Sequence, residues 1–300
     1  MIYTLTMNPS LDYVMEIDEL IVGKMNRSNK SCLLPGGKGI NVSCVLNNLN
    51  VSNVAILPVA GFSGEKLLKM LSDKEVAYDA IPIEDGDTRI NVKVLCQKET
   101  ELNAEGPSIN EEEVENLFLK LQFLKEEDYL VLSGSVPKSL GNSFYAKIMK
   151  ALKDKKINVV LDTTGEQFLN ALSYRPFLVK PNLEELESIT GQRADTKEKV
   201  ELLAQKVQSM GARNVLISMG SEGAFLLTEN GRMYRKTAPI GQVVNTVGAG
   251  DSMVAGFLAG FMENKSLEHA LNLGIASGSA SAFSKNLATK EEIDALMEIL

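Results

Sequence analysis

Histidine is nearly missing. The 300 residues hold one, His269, which excludes a His-based triad or a multi-His metal site. Cysteine is scarce as well. Cys32, Cys44 and Cys96 are odd in number and match no zinc spacing, so they read as structural thiols in a reducing compartment. Basic charge is in deficit: a formal net charge of −8 argues against a general nucleic-acid binder, which needs a basic surface. A few local Lys and Arg residues can still build a positive pocket in such a protein. Long apolar runs are lacking, since the stretch from Met253 to Phe261 falls short of the ~20 residues that span a bilayer. Met1-Ile2-Tyr3-Thr4-Leu5-Thr6 has neither the basic region nor the apolar run of a signal peptide. The expectation is a cytoplasmic protein without nucleic-acid or membrane partners.

What is present is a globular composition, 44% hydrophobic and 23% charged. A chain of this length buries a sizeable core and needs no disulfide or metal staple. We read residues 1–300 as one domain. Short β-branched runs at Ile2–Leu5, Val54–Val59, Tyr129–Ser133, Val159–Asp162, Phe177–Lys180 and Asn214–Ser218 alternate with helix-like runs. That alternation predicts an α/β fold, a mostly parallel sheet with helices on both faces, whose ligands bind at the carboxyl ends of the strands. Two segments, about 13–33 and 88–101, break the pattern. Tyr13–Ile17 and Arg89–Leu95 look like antiparallel strands that pair as a small accessory sheet over the site.

The strongest motif is Asn245-Thr246-Val247-Gly248-Ala249-Gly250-Asp251-Ser252. Two glycines around an alanine permit a tight turn with exposed N–H groups, and the helix that follows adds a positive dipole end. Together they make an anion site suited to a transferring phosphoryl group. Asp251, in the first helical turn, is placed to take a proton from an attacking hydroxyl, although a Gly-rich loop with an Asp cap is the plainer reading. Lys180-Pro181-Asn182-Leu183-Glu184-Glu185 follows a buried strand. Its Asn182 and Glu185 share a helix face and suit Mg²⁺ held through water, or else form a plain capping box. Ser218-Met219-Gly220-Ser221-Glu222-Gly223 suits backbone contacts to a nucleotide, or is a hairpin-type turn.

At the other end, Pro35-Gly36-Gly37-Lys38-Gly39-Ile40-Asn41 precedes a helix. Its glycines let a ligand approach the backbone, and Asn41 can donate and accept toward sugar hydroxyls. It is no Walker A loop, because no Ser or Thr follows Lys38. Asp12, just past the first strand, is a candidate acceptor for two hydroxyls, or a turn former. Arg27 and Arg89 lie on the two accessory segments. They are solvated surface or a phosphate clamp, a task that suits guanidinium geometry.

These residues resemble the PfkB (ribokinase-like) carbohydrate kinase family over nearly the whole chain. Gly36–Asn41 is similar to the family's first signature and Asn245–Ser252 to its second. Thr4–Asp12, Gly86–Asn91, Glu99–Asn103 and Ser133–Pro137 resemble its 1-phosphofructokinase and tagatose-6-phosphate kinase branch. The resemblance implies a Rossmann-like core with a β-sheet lid that often contributes to a homodimer. It implies ATP and Mg²⁺, with Asp251 as base and the Gly248, Ala249 and Gly250 amides as anion hole. It implies Asp12, Gly37 and Asn41 at the sugar and Arg27, Lys38 and Arg89 near the sugar's own phosphate. Lys180, Asn182, Glu185, Ser218, Gly220, Gly223 and Thr246 fall where nucleotide contacts are expected, with Glu185 also near Mg²⁺. Fructose 1-phosphate is the acceptor the branch implies. Asn245 stands where many members carry Asp, a replacement this branch often shows. Two departures bear on sugar choice: Ala104 and Glu105 stand where Gly-rich residues are usual, and Leu33-Leu34-Pro35 precedes the first signature. A kinase for an unphosphorylated sugar or nucleoside has no need of two lid arginines. A sensor without activity has no use for Asp251. An NAD-binding oxidoreductase would carry its Gly-rich turn after the first strand, not near residue 248.

Overall fold

The computed structural model describes residues 1–97 and 100–300. Lys98 and Glu99, part of the expected lid segment and of the Glu99–Asn103 motif, lie outside the described residues. The first strands are β1 (Ile2–Thr6), β2 (Ser10–Glu16), β3 (Lys30–Gly36), β4 (Asn53–Ala60), β5 (Tyr78–Ile83), β6 (Arg89–Leu95) and β7 (Thr100–Leu102). Then follow β8 (Tyr129–Ser133), β9 (Asn158–Asp162), β10 (Leu178–Val179), β11 (Asn214–Ser218), β12 (Ala224–Leu227) and β13 (Met233–Lys236).

Nine of them form one sheet in the order β13-β12-β11-β10-β9-β8-β1-β4-β5. Its pairs are parallel except at the β11-β12-β13 edge. Side chains alternate between faces with the period of two that strands impose. On β8, Leu130 and Leu132 join one core while Tyr129 and Val131 join the other. Helices α1 (Lys38–Asn48), α8 (Ala249–Asn264), α9 (Leu267–Phe283) and α10 (Lys290–Met297) pack on the second of these faces. Helices α3 (Glu111–Leu121), α4 (Phe144–Leu152), α5 (Gly165–Leu172), α6 (Leu183–Thr190) and α7 (Lys197–Ser209) cover the first. Helix α2 (Gly61–Asp73) closes a third cluster, where its Leu67 and Leu71 meet Leu11 and Ile40. The chain is thus α/β with helices on both faces, as the strand–helix alternation predicts.

The small sheet has the order β3-β2-β6-β7. One expectation is corrected here: β2 and β6 run parallel, with Asp12 opposite Asn91. The antiparallel partners are their outer neighbours, β3 and β7. Two strands entered from the same side of the main sheet must run the same way, and each then turns back through its own hairpin.

Two helix starts shape the site. At α6, the Asn182 side chain accepts from the Glu185 N–H and the Glu185 carboxylate accepts from the Asn182 N–H, each at 2.8 Å. At α8 the cap is Gly248, with φ 79°, a left-handed value that favours glycine. The α8–α9 contact is close. A methyl group at Gly256 would overlap the Leu273 carbonyl and the Ser277 hydroxyl, and Ser252 and Ser281 share a hydroxyl–hydroxyl bond of 2.7 Å.

Candidate active site

A cavity of about 980 Å³ opens at the carboxyl ends of the parallel strands. Thr6 ends β1, Ser133 ends β8 and Ser218 ends β11, and all three line it. Both glycine motifs reach it, and so does the inner face of the small sheet.

The motifs meet at one hydrogen bond. Asn41, in the first turns of α1, donates from Nδ2 to Asp251 Oδ2 at 2.8 Å across 210 residues of chain. Asp251 is buried. Burial pushes its carboxyl up to about 6, and the nearby Asp162 carboxylate adds to the rise. Lys38, the Asn41 bond and Lys180 oppose it. Such a carboxylate can accept a proton near neutral pH.

Beside it sits a cluster of three charges. The Asp162 carboxylate lies 3.2 Å from Lys38 Nζ and 3.4 Å from Lys180 Nζ. Burial raises the Asp162 carboxyl, but Lys180 and Lys38 outweigh it and hold it below its ordinary value. Burial likewise works against the Lys38 charge, and the carboxylates of Asp162, Asp251 and Glu185 overcome it. Lys180 Nζ also rests against the turn, 3.2 Å from where a Cβ on Gly250 would stand. Two ammonium groups therefore border the N-terminus of α8, where the first-turn N–H groups have no intrahelical acceptor. One amide is already committed: Ala249 donates to the Thr246 carbonyl at 3.2 Å. The turn before it is shaped by Asn245, whose side chain accepts from the Val247 N–H at 3.0 Å.

The residues expected at the sugar are brought together with one exception. Gly37, Lys38, Asn41, Asp12 and Arg89 all line the cavity. Gly37 has φ 123°, and a Cβ there would fall 2.6 Å from the Thr6 methyl. Arg89 donates to the Asn8 carbonyl from Nη2 at 3.0 Å and from Nε at 3.2 Å, and to the Ala104 carbonyl at 3.4 Å. Burial lowers its affinity for the proton, and Asp12 works the other way. Arg27 does not join them. It is exposed, in the connection between β2 and β3, and is not part of the cavity wall. That connection runs beyond the paired residues of the hairpin and carries Arg27 out with it.

The nucleotide-end residues also converge. Lys180, Asn182, Glu185, Ser218, Gly220, Gly223 and Thr246 line the cavity. Asn182 and Ser218 form a bridge between the two loops. Both the plainer reading and the sharper one hold at α6, because the cap uses one oxygen of Glu185 while Glu185 still lines the cavity. Gly223 is a hairpin requirement: its φ is 87° and a Cβ would overlap the Lys236 carbonyl. Gly220 has φ 56° and open space around it.

Sequence reasoning missed several residues. Asp162 was readable as the last residue of a strand, in the same position as Ser133 and Ser218. Asn91 and Lys93 were readable by period: with Arg89 they are alternate residues of β6 and share its face. Both line the cavity. The apolar wall from Ala238 to Val243, with Phe283, had no motif to announce it.

A model of the pfkB family of carbohydrate kinases matches residues 5–294. The 1-phosphofructokinase of Bacillus subtilis (strain 168) is 44% identical over 299 residues, covering 99% of this chain and 97% of the relative. The D-tagatose-1-phosphate kinase of Bacillus licheniformis is 34% identical, covering 98% of this chain and 96% of the relative. Among solved structures, phosphofructokinase-2 from Escherichia coli in complex with substrates and products superposes with a TM-score of 0.94 at 30% identity, covering 100% of this chain and 99% of that one.

Proposed function

The chain belongs to the pfkB family of carbohydrate kinases, and on that premise we propose that it phosphorylates fructose 1-phosphate with ATP to give fructose 1,6-bisphosphate. The observation that carries the reading is the bond between Asn41 and Asp251. It puts the sugar-end motif and the phosphoryl-end motif at one point. We take residues 1–300 as one kinase domain, with the small sheet from segments 13–33 and 88–101 as its lid.

Asp251 takes the proton of the acceptor's primary hydroxyl. The oxygen forms its bond to the γ-phosphorus as the bond to the ADP oxygen breaks, in line. The first-turn amides of α8 other than that of Ala249, which is bonded to Thr246, face with Lys38 and Lys180 the charge that spreads over the transferred group. Asp12, Gly37 and Asn41 hold the sugar, and Arg89 faces its phosphate. Ser218, Gly220, Gly223 and Thr246 hold the nucleotide, with Asn182 and Glu185 beside its phosphates. Among the described residues no cluster of three or more His, Cys, Asp or Glu could cage a metal. Glu185, which lines the cavity, would hold Mg²⁺ through water, since that ion keeps its waters and takes phosphate oxygens. Bound there it would neutralise phosphate charge. No helix among the described residues is long and apolar enough to cross a membrane, and we place the reaction in the cytoplasm, where ATP is abundant. We propose a homodimer formed through the small sheet.

A second reading follows from the D-tagatose-1-phosphate kinase relative: the acceptor is tagatose 1-phosphate. ADP release measured with fructose 1-phosphate, tagatose 1-phosphate, tagatose 6-phosphate, fructose 6-phosphate and free fructose decides among them. The highest kcat/KM is expected for fructose 1-phosphate. A preference for free fructose would overturn the sugar-phosphate reading.

A further inference from the structure

We propose that Lys93 is a positioning residue for the acceptor sugar, holding the Asp12 carboxylate in the one orientation that receives the sugar hydroxyls. The inference rests on Asp12 being the hydroxyl acceptor.

The sequence sets this up by register. In the parallel β2–β6 pair, Asp12 lies opposite Asn91 and Val14 opposite Lys93. Asn91 and Lys93 are two apart on β6, so both side chains rise on the face that looks into the cavity. The Asp12 carboxylate then meets three donors. Oδ1 accepts from the Ser10 hydroxyl at 2.7 Å and from Asn91 Nδ2 at 3.0 Å. Oδ2 pairs with Lys93 Nζ at 3.1 Å. Ser10 and Asn91 both pull on the same oxygen, so among the described residues only Lys93 fixes where the other one points. An ionised carboxylate has about four acceptor positions, and these three partners leave room for the ligand while stopping rotation.

Lys93 is well placed for that task. Its side chain is 11% exposed. Burial works against its charge, but Asp12 and then Glu101 outweigh the loss and the ammonium stays protonated. Glu101, on β7, holds it from the far side at 3.5 Å. Lys93 thus ties β2, β6 and β7 together at the level of Asp12. Behind this wall lies a second cavity of about 320 Å³, which Asp12 and Lys93 also line. Without the ammonium, Oδ2 has open space to swing into. A carboxylate fixed beforehand binds a diol without the cost of stopping its own rotor. The expected signature is therefore on sugar affinity and not on the chemical step.

The test uses the full chain with fructose 1-phosphate and ATP, and the variants Lys93→Met, Lys93→Arg, Asp12→Asn and Lys93→Met/Asp12→Asn. Lys93→Met should raise the sugar KM about 10-fold or more while kcat and the ATP KM stay within about threefold, the pattern of lost ground-state binding. Lys93→Arg should restore most of the loss. In the double variant the sugar KM should equal that of Asp12→Asn alone, because Lys93 acts only through that carboxylate. If Lys93→Met unfolds, Lys93→Gln carries the same comparisons. A sugar KM within about twofold of the parent in Lys93→Met, or losses that multiply in the double variant, overturns the proposal. An unchanged KM in Asp12→Asn by itself would instead remove Asp12 from the sugar site, a separate failure.

Discussion

Asp251 carries a conflict between stability and use. Burial raises its carboxyl to about 6, so the folded chain holds that proton more tightly than the unfolded chain. Between the ordinary carboxylate value and about 6 the native state binds more protons, and stability falls as pH rises through that window. At neutral pH the ionised group is a cost to the fold and is the form that the proposed base requires. Asp251→Asn should therefore melt at a higher temperature than the parent at about pH 8 and show no such gain at about pH 4. Its kcat should fall by about 10²-fold or more, the usual worth of a positioned base. For the parent, kcat should decline as pH drops below about 6; a profile flat to about pH 4 would remove Asp251 as the base.

At the scale of elements, the α8–α9 contact holds the proposed anion-binding turn in place. Ser252, one residue past Asp251, is bonded to Ser281 on α9, and Gly256 sits where a methyl would overlap the Leu273 carbonyl. Gly256→Val forces the helices apart, and overpacking of this kind costs about 1–3 kcal/mol. The variant should melt lower in a thermal scan and lose kcat, since separation of α8 from α9 shifts the turn. A variant as stable and active as the parent would mean that the helices have slack. Elements with strong local signals were legible in the sequence: β8, β9 and β11 stand where their β-branched runs predict, and α8 begins at the glycine turn. Others were not. Strand β5, Tyr78-Asp79-Ala80-Ile81-Pro82-Ile83, is an edge strand with a proline and an exposed start, so it lacks the apolar run of its neighbours. Helices α3 and α10 carry capping boxes at Asn110–Glu113 and Thr289–Glu292, a local signal that was there to be read. The sense of the β2–β6 pair was not local at all, because pairing direction follows from where the main sheet delivers each segment. The same limit applies to Asp162: its partners Lys38 and Lys180 come from two other segments, and only the fold brings the three charges together.

At the scale of the molecule, the acidic chain exposes apolar side chains in the β2–β3 connection and on β7. Val22 is 92% exposed and Met25 81%, with Leu20, Ile21 and Leu102 also exposed. Exposed large apolar side chains suit contact with a partner surface, and they support the proposed dimer. Sedimentation should find the parent as a dimer at micromolar concentration and Val22→Asp/Met25→Asp as a monomer. A monomeric parent would rule out the small sheet as a stable interface.

The hydrogen bond from Asn41 to Asp251 also has a consequence in time. A ribosome makes Asn41 early and Asp251 210 residues later, and segments of a chain fold as they emerge. The proposed sugar end can be shaped while the proposed base is still unmade. With Asp251 as the base, the growing chain passes through most of its synthesis unable to use ATP, until α8 is made and docks against α1.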